Sequence, residues 1–247
     1  MSTSRPAAKP EFPQTNLQES EEYRAKREEL RLAEIESLEA REHVAALRRQ
    51  LPQGPVVQDY PFLEGPVDLN DGDEPVREVR LSELFTAPNR SLFIYHMMFG
   101  KKHKGPCPMC TLTVDGLNGV AHHIRQNLDL AVVVATDPKS FRAHARRQGW
   151  NNIRLLSAPE SSTFKYDLRS EDREGNQDSN VSVFTRDPDG QVRHFYSVHP
   201  SLAPDIQERG QDLLDPVYNV LDLTPQGRGN WYATLDYRPN LMSKRNV

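Results

Sequence analysis

Leu92-Phe-Ile-Tyr-His-Met-Met98, then the loop 99–106, then Cys107-Pro-Met-Cys110: the fold turns on this stretch. Seven residues with almost no polar interruption read as a central strand covered on both faces. Pro108 is favoured at the first position of a helix, where its missing N–H costs nothing. The two cysteines therefore stand where a strand end meets a helix N-terminus. Cys107 falls at the cap and Cys110 one turn inside.

Outward from there, the helix beginning at Pro108 is expected to kink or break at Gly116 and Gly119, then to resume through Val120, Ile124 and Leu128. Residues 130–135 are a second buried strand. A helix follows over 140–148, closed by Gly149, and 153–156 is a short strand. Residues 159–180 are polar and irregular, with Phe164 and Tyr166 as anchors. Two further strands, 181–184 and 192–197, flank Asp187-Pro-Asp-Gly190, a strong hairpin signal. A last helix is expected over 211–221, then a surface tail over 223–247. The order from residue 90 is strand, helix, strand, helix, strand, strand, helix. A helical crossover requires the first two strands to be parallel, and the hairpin is antiparallel. This is the thioredoxin topology. The fold class is α/β, a thioredoxin-like central mixed sheet flanked by helices, spanning 90–222.

On the N-terminal side the reading is a disordered tail over 1–16 and a long helix over 17–51. That helix has Tyr23, Leu30, Leu38 and Leu47 at near-helical spacing and Glu22 paired with Lys26. It either lies across its own domain or pairs with a second copy, so a homodimer through it is one expectation. Pro52 ends it. An ordered connector over 52–89 then wraps the domain and carries a short strand at 76–81.

The 247 residues include 31 basic and 35 acidic side chains, a formal charge of −4. Such balance argues against nucleic acid as a partner. No apolar window suits a membrane span, and the first ten residues lack the apolar core of a secretory signal. A cytoplasmic protein is expected. Its two cysteines stand three apart. In a reducing compartment such a pair is more often redox-active or metal-binding than a structural staple.

A helix N-terminus favours a thiolate by about 1 kcal/mol, which moves a thiol from about 8.5 toward 7.5. Lys101, Lys102 and Lys104 add to that field, subject to screening. Cys107 is thus the expected nucleophile and Cys110 the resolving thiol. Two other readings stay open at this point. The pair, with His103, His122 or His123, can be drawn as a zinc or copper site; or the thiols are incidental. His96 inside the strand reads as a satisfied core histidine. Asp115 reads as a solvated or capping residue, with proton relay to Cys110 as the sharper alternative. Trp150 is read as packing, and Arg146-Arg147 as a solvated helix face. No cofactor is implied.

The chain resembles the bacterial thioredoxin-like proteins grouped as domain-of-unknown-function family 899, labelled as dithiol-disulfide oxidoreductases or isomerases. The resemblance rests on Arg90-Ser-Leu-Phe-Ile-Tyr-His-Met-Met-Phe-Gly100, Cys107-Pro-Met-Cys-Thr111 and Asp115-Gly-Leu-Asn-Gly119. It extends to Phe141-Arg-Ala-His-Ala145 with Gly149-Trp150, and to Asn219-Val-Leu-Asp-Leu-Thr-Pro-Gln-Gly227. It covers about residues 20–237. It implies a thioredoxin-like fold; the dithiol itself points to a protein or small-molecule disulfide or thiol as substrate. Two departures stand out. Thioredoxins carry a cis-proline before the third core strand, where this chain reads Asn176-Gln-Asp-Ser-Asn180; a trans loop is expected, since a non-proline cis bond costs about 3 kcal/mol. Gly105-Pro106 also replaces the usual aromatic before the first cysteine. Both favour a narrower substrate than a general thioredoxin takes, or a sensing or peroxiredoxin-like role.

Overall fold

Strand β3 (Leu92–His96) lies inside a seven-stranded sheet, next to its middle strand, in a computed structural model that describes residues 17–202, 209–214 and 216–237. On one side β3 pairs in parallel with β4 (Asp129–Val134), as a helical crossover demands. On the other it pairs antiparallel with β6 (Asn180–Arg186), which forms a hairpin with β7 (Val192–Val198) through the Asp187–Gly190 turn. β5 (Arg154–Ser157) runs parallel to β4. Helices α2 (Pro108–Ile124) and α3 (Pro138–Gln148) supply the crossovers. Asp137 caps α3 by accepting from Ser140 N–H at 2.9 Å, and Gly149 ends it at φ 73°. The thioredoxin-like order is thus present as read, and no helix among the described residues is long and apolar enough to cross a membrane.

The alternation of β3 and β4 explains their unbroken apolar runs. Tyr95, Met97, Val132 and Val134 pack with Val114, Leu117, Phe141 and Trp150 beneath α2 and α3. Leu92, Ile94, Ala131 and Val133 pack on the opposite face with Phe62, Leu81, Phe164 and Phe184. Both faces are covered, so the two runs are apolar almost throughout, and the polar exception, His96, is hydrogen-bonded.

Several expectations require correction. The connector does not simply wrap the domain: β1 (Pro61–Glu64) and β2 (Arg77–Arg80) pair antiparallel and extend the sheet beyond β5, giving the order β2-β1-β5-β4-β3-β6-β7. Phe62 and Val79 are what the sheet gains, and Glu64 ties it by accepting from Arg154 at 2.6 and 2.9 Å and from Arg77 at 2.9 Å. Helix α2 runs unbroken through Gly116 and Gly119. Gly116 lies under the chain at Leu214 and Pro216, both 3.6 Å from where a Cβ would stand, an ordinary contact distance, and it makes no bend in the helix. The last helix is two pieces, a 3₁₀ turn (Arg209–Leu214) and α5 (Pro216–Leu221). Of the two anchors expected in 159–180, Phe164 is buried within the short helix α4 (Phe164–Asp167), whereas Tyr166 is 40% exposed. The expected tail over 1–16 lies outside the described residues.

The chain divides into two compact units, through Pro52 and from Gln53. The first contains α1 (Glu21–Arg49), about 44 Å long at 1.5 Å per residue. Ser20 caps it by accepting from Tyr23 N–H at 3.1 Å, and it stops at Gln50, two residues before the proline expected to end it. Lys26 pairs with Glu29 at 2.7 Å, not with Glu22.

Candidate functional site

Met98 holds the dithiol from the end of β3. Its carbonyl accepts from Cys107 N–H at 3.0 Å, and its own N–H points at Cys110 Sγ at 3.5 Å. Cys107 is the N-cap of α2, in extended conformation, with Pro108 next. The two cysteines approach to 3.6 Å and are unbridged. Cys107 is partly exposed, and Cys110 is buried at 1% exposure. Only the first can meet a molecule from outside.

Burial pushes the Cys110 thiol well above the ordinary thiol range, and a hydrogen bond with Cys107 and its charge push the same way. The Met98 N–H and the Tyr95 hydroxyl pull it back. Tyr95 is fully enclosed, so its phenol is raised too, chiefly by burial; it also bonds Thr113 and Ser179. Ser179 thus reaches the dithiol through Tyr95, from the loop where thioredoxins place their proline. The single cis peptide among the described residues is Glu74–Pro75, so the approach to β6 is trans as expected. A cavity of about 60 Å³ is lined by Tyr95, Met98, Met109, Thr113, Ser179 and Tyr218, among others, with neither cysteine on its wall.

The segment expected to be a surface tail covers the dithiol turn. Met109 Sδ accepts from Ala233 N–H at 3.4 Å and from the Tyr218 hydroxyl at 3.7 Å. Tyr218 stands edge-on to Trp231 at 5.7 Å, with Arg228 over its ring. Asp115 belongs to the same construction. It accepts from Trp150 Nε1 at 2.6 Å and bonds Tyr237, and burial raises its carboxyl despite both bonds. It is half-buried, and its partners are Trp150 and Tyr237 rather than a helix end.

Of the lysines expected to charge the loop, two are engaged with the approach to β6. Lys101 pairs with Glu171 at 3.6 Å and Lys102 donates to Asn176 at 3.0 Å. The histidines drawn into the metal alternative are spread out. His122 and His123 sit together near the C-terminal end of α2, with ring centroids 4.0 Å apart, about 18 Å from Cys110 by helix rise. Among the described residues no group of three or more His, Cys, Asp or Glu is arranged to hold a metal ion. His96 is a core histidine: its ring nitrogens bond Ser170 at 2.7 Å and Ser182 at 3.0 Å, and it stacks on Phe164. Arg146 is not simply solvated, since it binds Asp73 at 2.8 Å and the Leu69 carbonyl at 3.0 Å.

Beneath Cys107, the Thr111 hydroxyl donates to the Cys107 carbonyl at 3.0 Å and lies 3.1 Å from His144 Nε2. Burial, with help from Arg147, brings the His144 imidazole down to about 4. The folded state therefore binds this proton less readily than the unfolded chain does. Stability is fully present above about pH 6.5 and is lost as pH falls toward 4, by up to about 3 kcal/mol at 1.4 kcal/mol per pH unit. The urea midpoint is expected to drop between pH 7 and 4.5 in the natural protein and to drop less in His144→Gln. Equal drops would remove His144 from the account.

Sequence reading missed Tyr95, Ser179 and Thr111. Tyr95 had a signal: it lies two residues before Met97, on the face that α2 covers. A search of curated proteins finds no match. The family model described as "Bacterial protein of unknown function (DUF899)" matches residues 12–241. Among solved structures, oxidized Prx3 from Vibrio vulnificus is 14% identical, with 59% of this chain and 88% of that one covered and a TM-score of 0.39. Mycobacterium tuberculosis AhpC is 12% identical, covering 66% and 89%, with a TM-score of 0.43. A peroxiredoxin-like protein from Aquifex aeolicus is 14% identical, covering 66% and 84%, with a TM-score of 0.40.

Proposed function

Because the chain belongs to the bacterial DUF899 family and carries its cysteine pair in a thioredoxin-like fold, we propose that it is a thiol–disulfide oxidoreductase. The observation that carries this reading is the asymmetry of the pair. Two cysteines 3.6 Å apart face different surroundings, one reachable and one enclosed. Cys107 attacks a substrate disulfide, one substrate sulfur leaves as a thiolate, and a mixed disulfide remains. Cys110 then displaces the second substrate sulfur. Closing the Cys107–Cys110 bond needs the sulfurs to come to about 2.05 Å, a movement that side-chain rotation at a helix cap can supply. The tail over Met109 and the missing cis-proline support a small or narrowly shaped disulfide rather than an extended polypeptide as substrate.

Equilibration of the protein in dithiothreitol redox buffers of graded potential tests this. Thiol labelling with mass detection is expected to show both cysteines passing together from labelled to unlabelled, with the slope of a two-electron couple, 29.6 mV per decade. A pair that never loses its two hydrogens in oxidising buffer, or that retains stoichiometric zinc through purification, would overturn the reading.

A further inference from the structure

A second cavity, of about 330 Å³, runs along α2 from the dithiol turn. One wall is the helix itself: Pro108, Leu112 and Asp115, spaced four and three apart, share a face. Cys107 directly precedes Pro108 through a trans peptide, so its Cα lies about 3.8 Å from the first residue of that wall. The facing wall is the C-terminal segment, with Val217, Trp231 and Tyr237. Tyr237 is held there by donating its hydroxyl to Gln148 at 2.8 Å. The volume falls at the small end of the range for pockets that take small molecules.

The walls are mainly apolar, and their charges have one sign. Among the described residues Asp115 and Asp236 line the cavity, and no lysine, arginine or histidine does. Asp236 is exposed, so water screens it. Asp115 is half-buried, and its donors are neutral: Trp150 Nε1 at 2.6 Å, and Tyr237. Among the described residues no lysine or arginine pairs with it. A carboxylate keeps acceptor capacity beyond two such bonds. A half-buried anion without a counter-charge is costly, and burial raises this carboxyl accordingly. An ammonium entering from the cavity supplies both the charge and the further donors. From Pro108 to Asp115 the helix rises about 10 Å. A ligand with sulfur at the dithiol end and an ammonium at Asp115 therefore carries an apolar body between them, which the walls cover.

We propose that this cavity is the substrate pocket, and that it takes a small disulfide with an apolar body and a terminal ammonium. This rests on the exchange reading above and adds the chemical class of the substrate. Cys107, as thiolate, attacks the sulfur at the mouth of the cavity. The substrate S–S bond breaks, and the outer half leaves as a thiolate that takes up a proton. Cys110 then gives up its proton, bonds Cys107 and displaces the half held in the pocket, which takes up a proton in turn. Two electrons pass from the dithiol to the disulfide. The same carboxylates disfavour a disulfide that bears carboxylates of its own.

Both tryptophans of the chain border the cavity, Trp231 in its wall and Trp150 through Asp115, so intrinsic fluorescence reports its occupancy. In titrations of the full chain, benzylamine is expected to bind at least about 10-fold more tightly than benzyl alcohol, the worth of a charge-assisted hydrogen bond. Phenylacetate is expected to bind more weakly than either. Asp115→Asn, which keeps an acceptor for Trp150, is expected to abolish the preference for the amine. Equal affinities in the natural protein, or a preference that survives Asp115→Asn, would overturn the proposal; the first comparison needs no variant, so a misfolded Asp115→Asn cannot hide the answer. Bis(4-aminomethylphenyl) disulfide and its hydroxymethyl counterpart test the link to Cys107, through adduct mass on Cys110→Ser protein, corrected for their rates with mercaptoethanol. The amine is expected to react at least about 10-fold faster. Equal corrected rates would overturn the cavity's role as substrate pocket. Failure of both probes to form any adduct, with the benzylamine preference intact, sinks the exchange reading instead and leaves the pocket's choice of an ammonium standing.

Discussion

Cys107→Ser is expected to reduce disulfide exchange by roughly 10³-fold or more, to the uncatalysed level, while Cys110→Ser is expected to stall it one step later. The difference follows from reach. Cys110 is 1% exposed, so with Cys107 gone no sulfur can meet a substrate. With Cys110 gone, Cys107 still attacks, because its cap position on α2 and its bond to the Met98 carbonyl do not depend on the second thiol. The mixed disulfide then has nothing 3.6 Å away to displace it. Intact-mass measurement after exposure to 5,5′-dithiobis(2-nitrobenzoate) separates the two. Cys110→Ser should carry one stable thionitrobenzoate adduct, and Cys107→Ser should carry none on the same timescale. An adduct on Cys107→Ser, or full activity in either variant, would reverse or dissolve the assigned roles.

The largest effect on stability is expected at Arg142. The residue is 3% exposed and four of its five guanidinium N–H groups are used: it donates to the Pro66 carbonyl, to the Asp68 and Gly72 carbonyls at 2.9 and 2.6 Å, and to Asp73 at 3.2 Å. One side chain of α3 thus fixes the whole 66–73 loop. Gly65 leaves it room, since a Cβ there would stand 2.8 Å from Arg142 Cδ. Arg142→Met fills the volume but removes the donor to the Pro66 and Gly72 carbonyls, while Asp73 keeps Arg146 at 2.8 Å. Removing one partner of a buried charged network costs about 3–5 kcal/mol, equivalent to a fall in Tm of roughly 10 °C for a chain of this size. Urea unfolding measures it. A change below about 0.5 kcal/mol would mean that the loop holds itself.

Sequence reading and structure agree where a pattern is local. The apolar runs at 92–98 and 130–135, Pro108 after Cys107, and the turn at Asp187–Gly190 each carry their meaning within a few residues, and together they determine the topology. The disagreements arise where distant segments meet. Phe62 and Val79 look like scattered apolar residues in a Pro-rich stretch until they dock on the sheet edge. Gly116 looks like a helix breaker because the chain that packs on it is a hundred residues away. Tyr95 reads as another apolar residue of a strand, since nothing in the run 92–98 announces that its hydroxyl meets Cys110. Lys165 is harder still: between Phe164 and Tyr166 a lysine ordinarily marks a solvated position, and only the fold encloses it.

The rims of the sheet bear on how a substrate can be held. On β7, the segment after Gly54 already occupies the outer rim: Val57 N–H donates to Val192 at 3.0 Å, and Pro55 accepts from His194 at 3.0 Å. Gly54 itself lies so close that any side chain would collide with the His194 carbonyl. At the far rim, β2 is four residues long and presents Arg77, Glu78 and Arg80. Short, charged or occupied rims do not invite another chain to add itself as a strand. Whatever this protein recognises, it is not expected to do so by lending out its backbone ladder. On the exchange reading proposed above, selectivity comes from side chains grouped around one partly open sulfur.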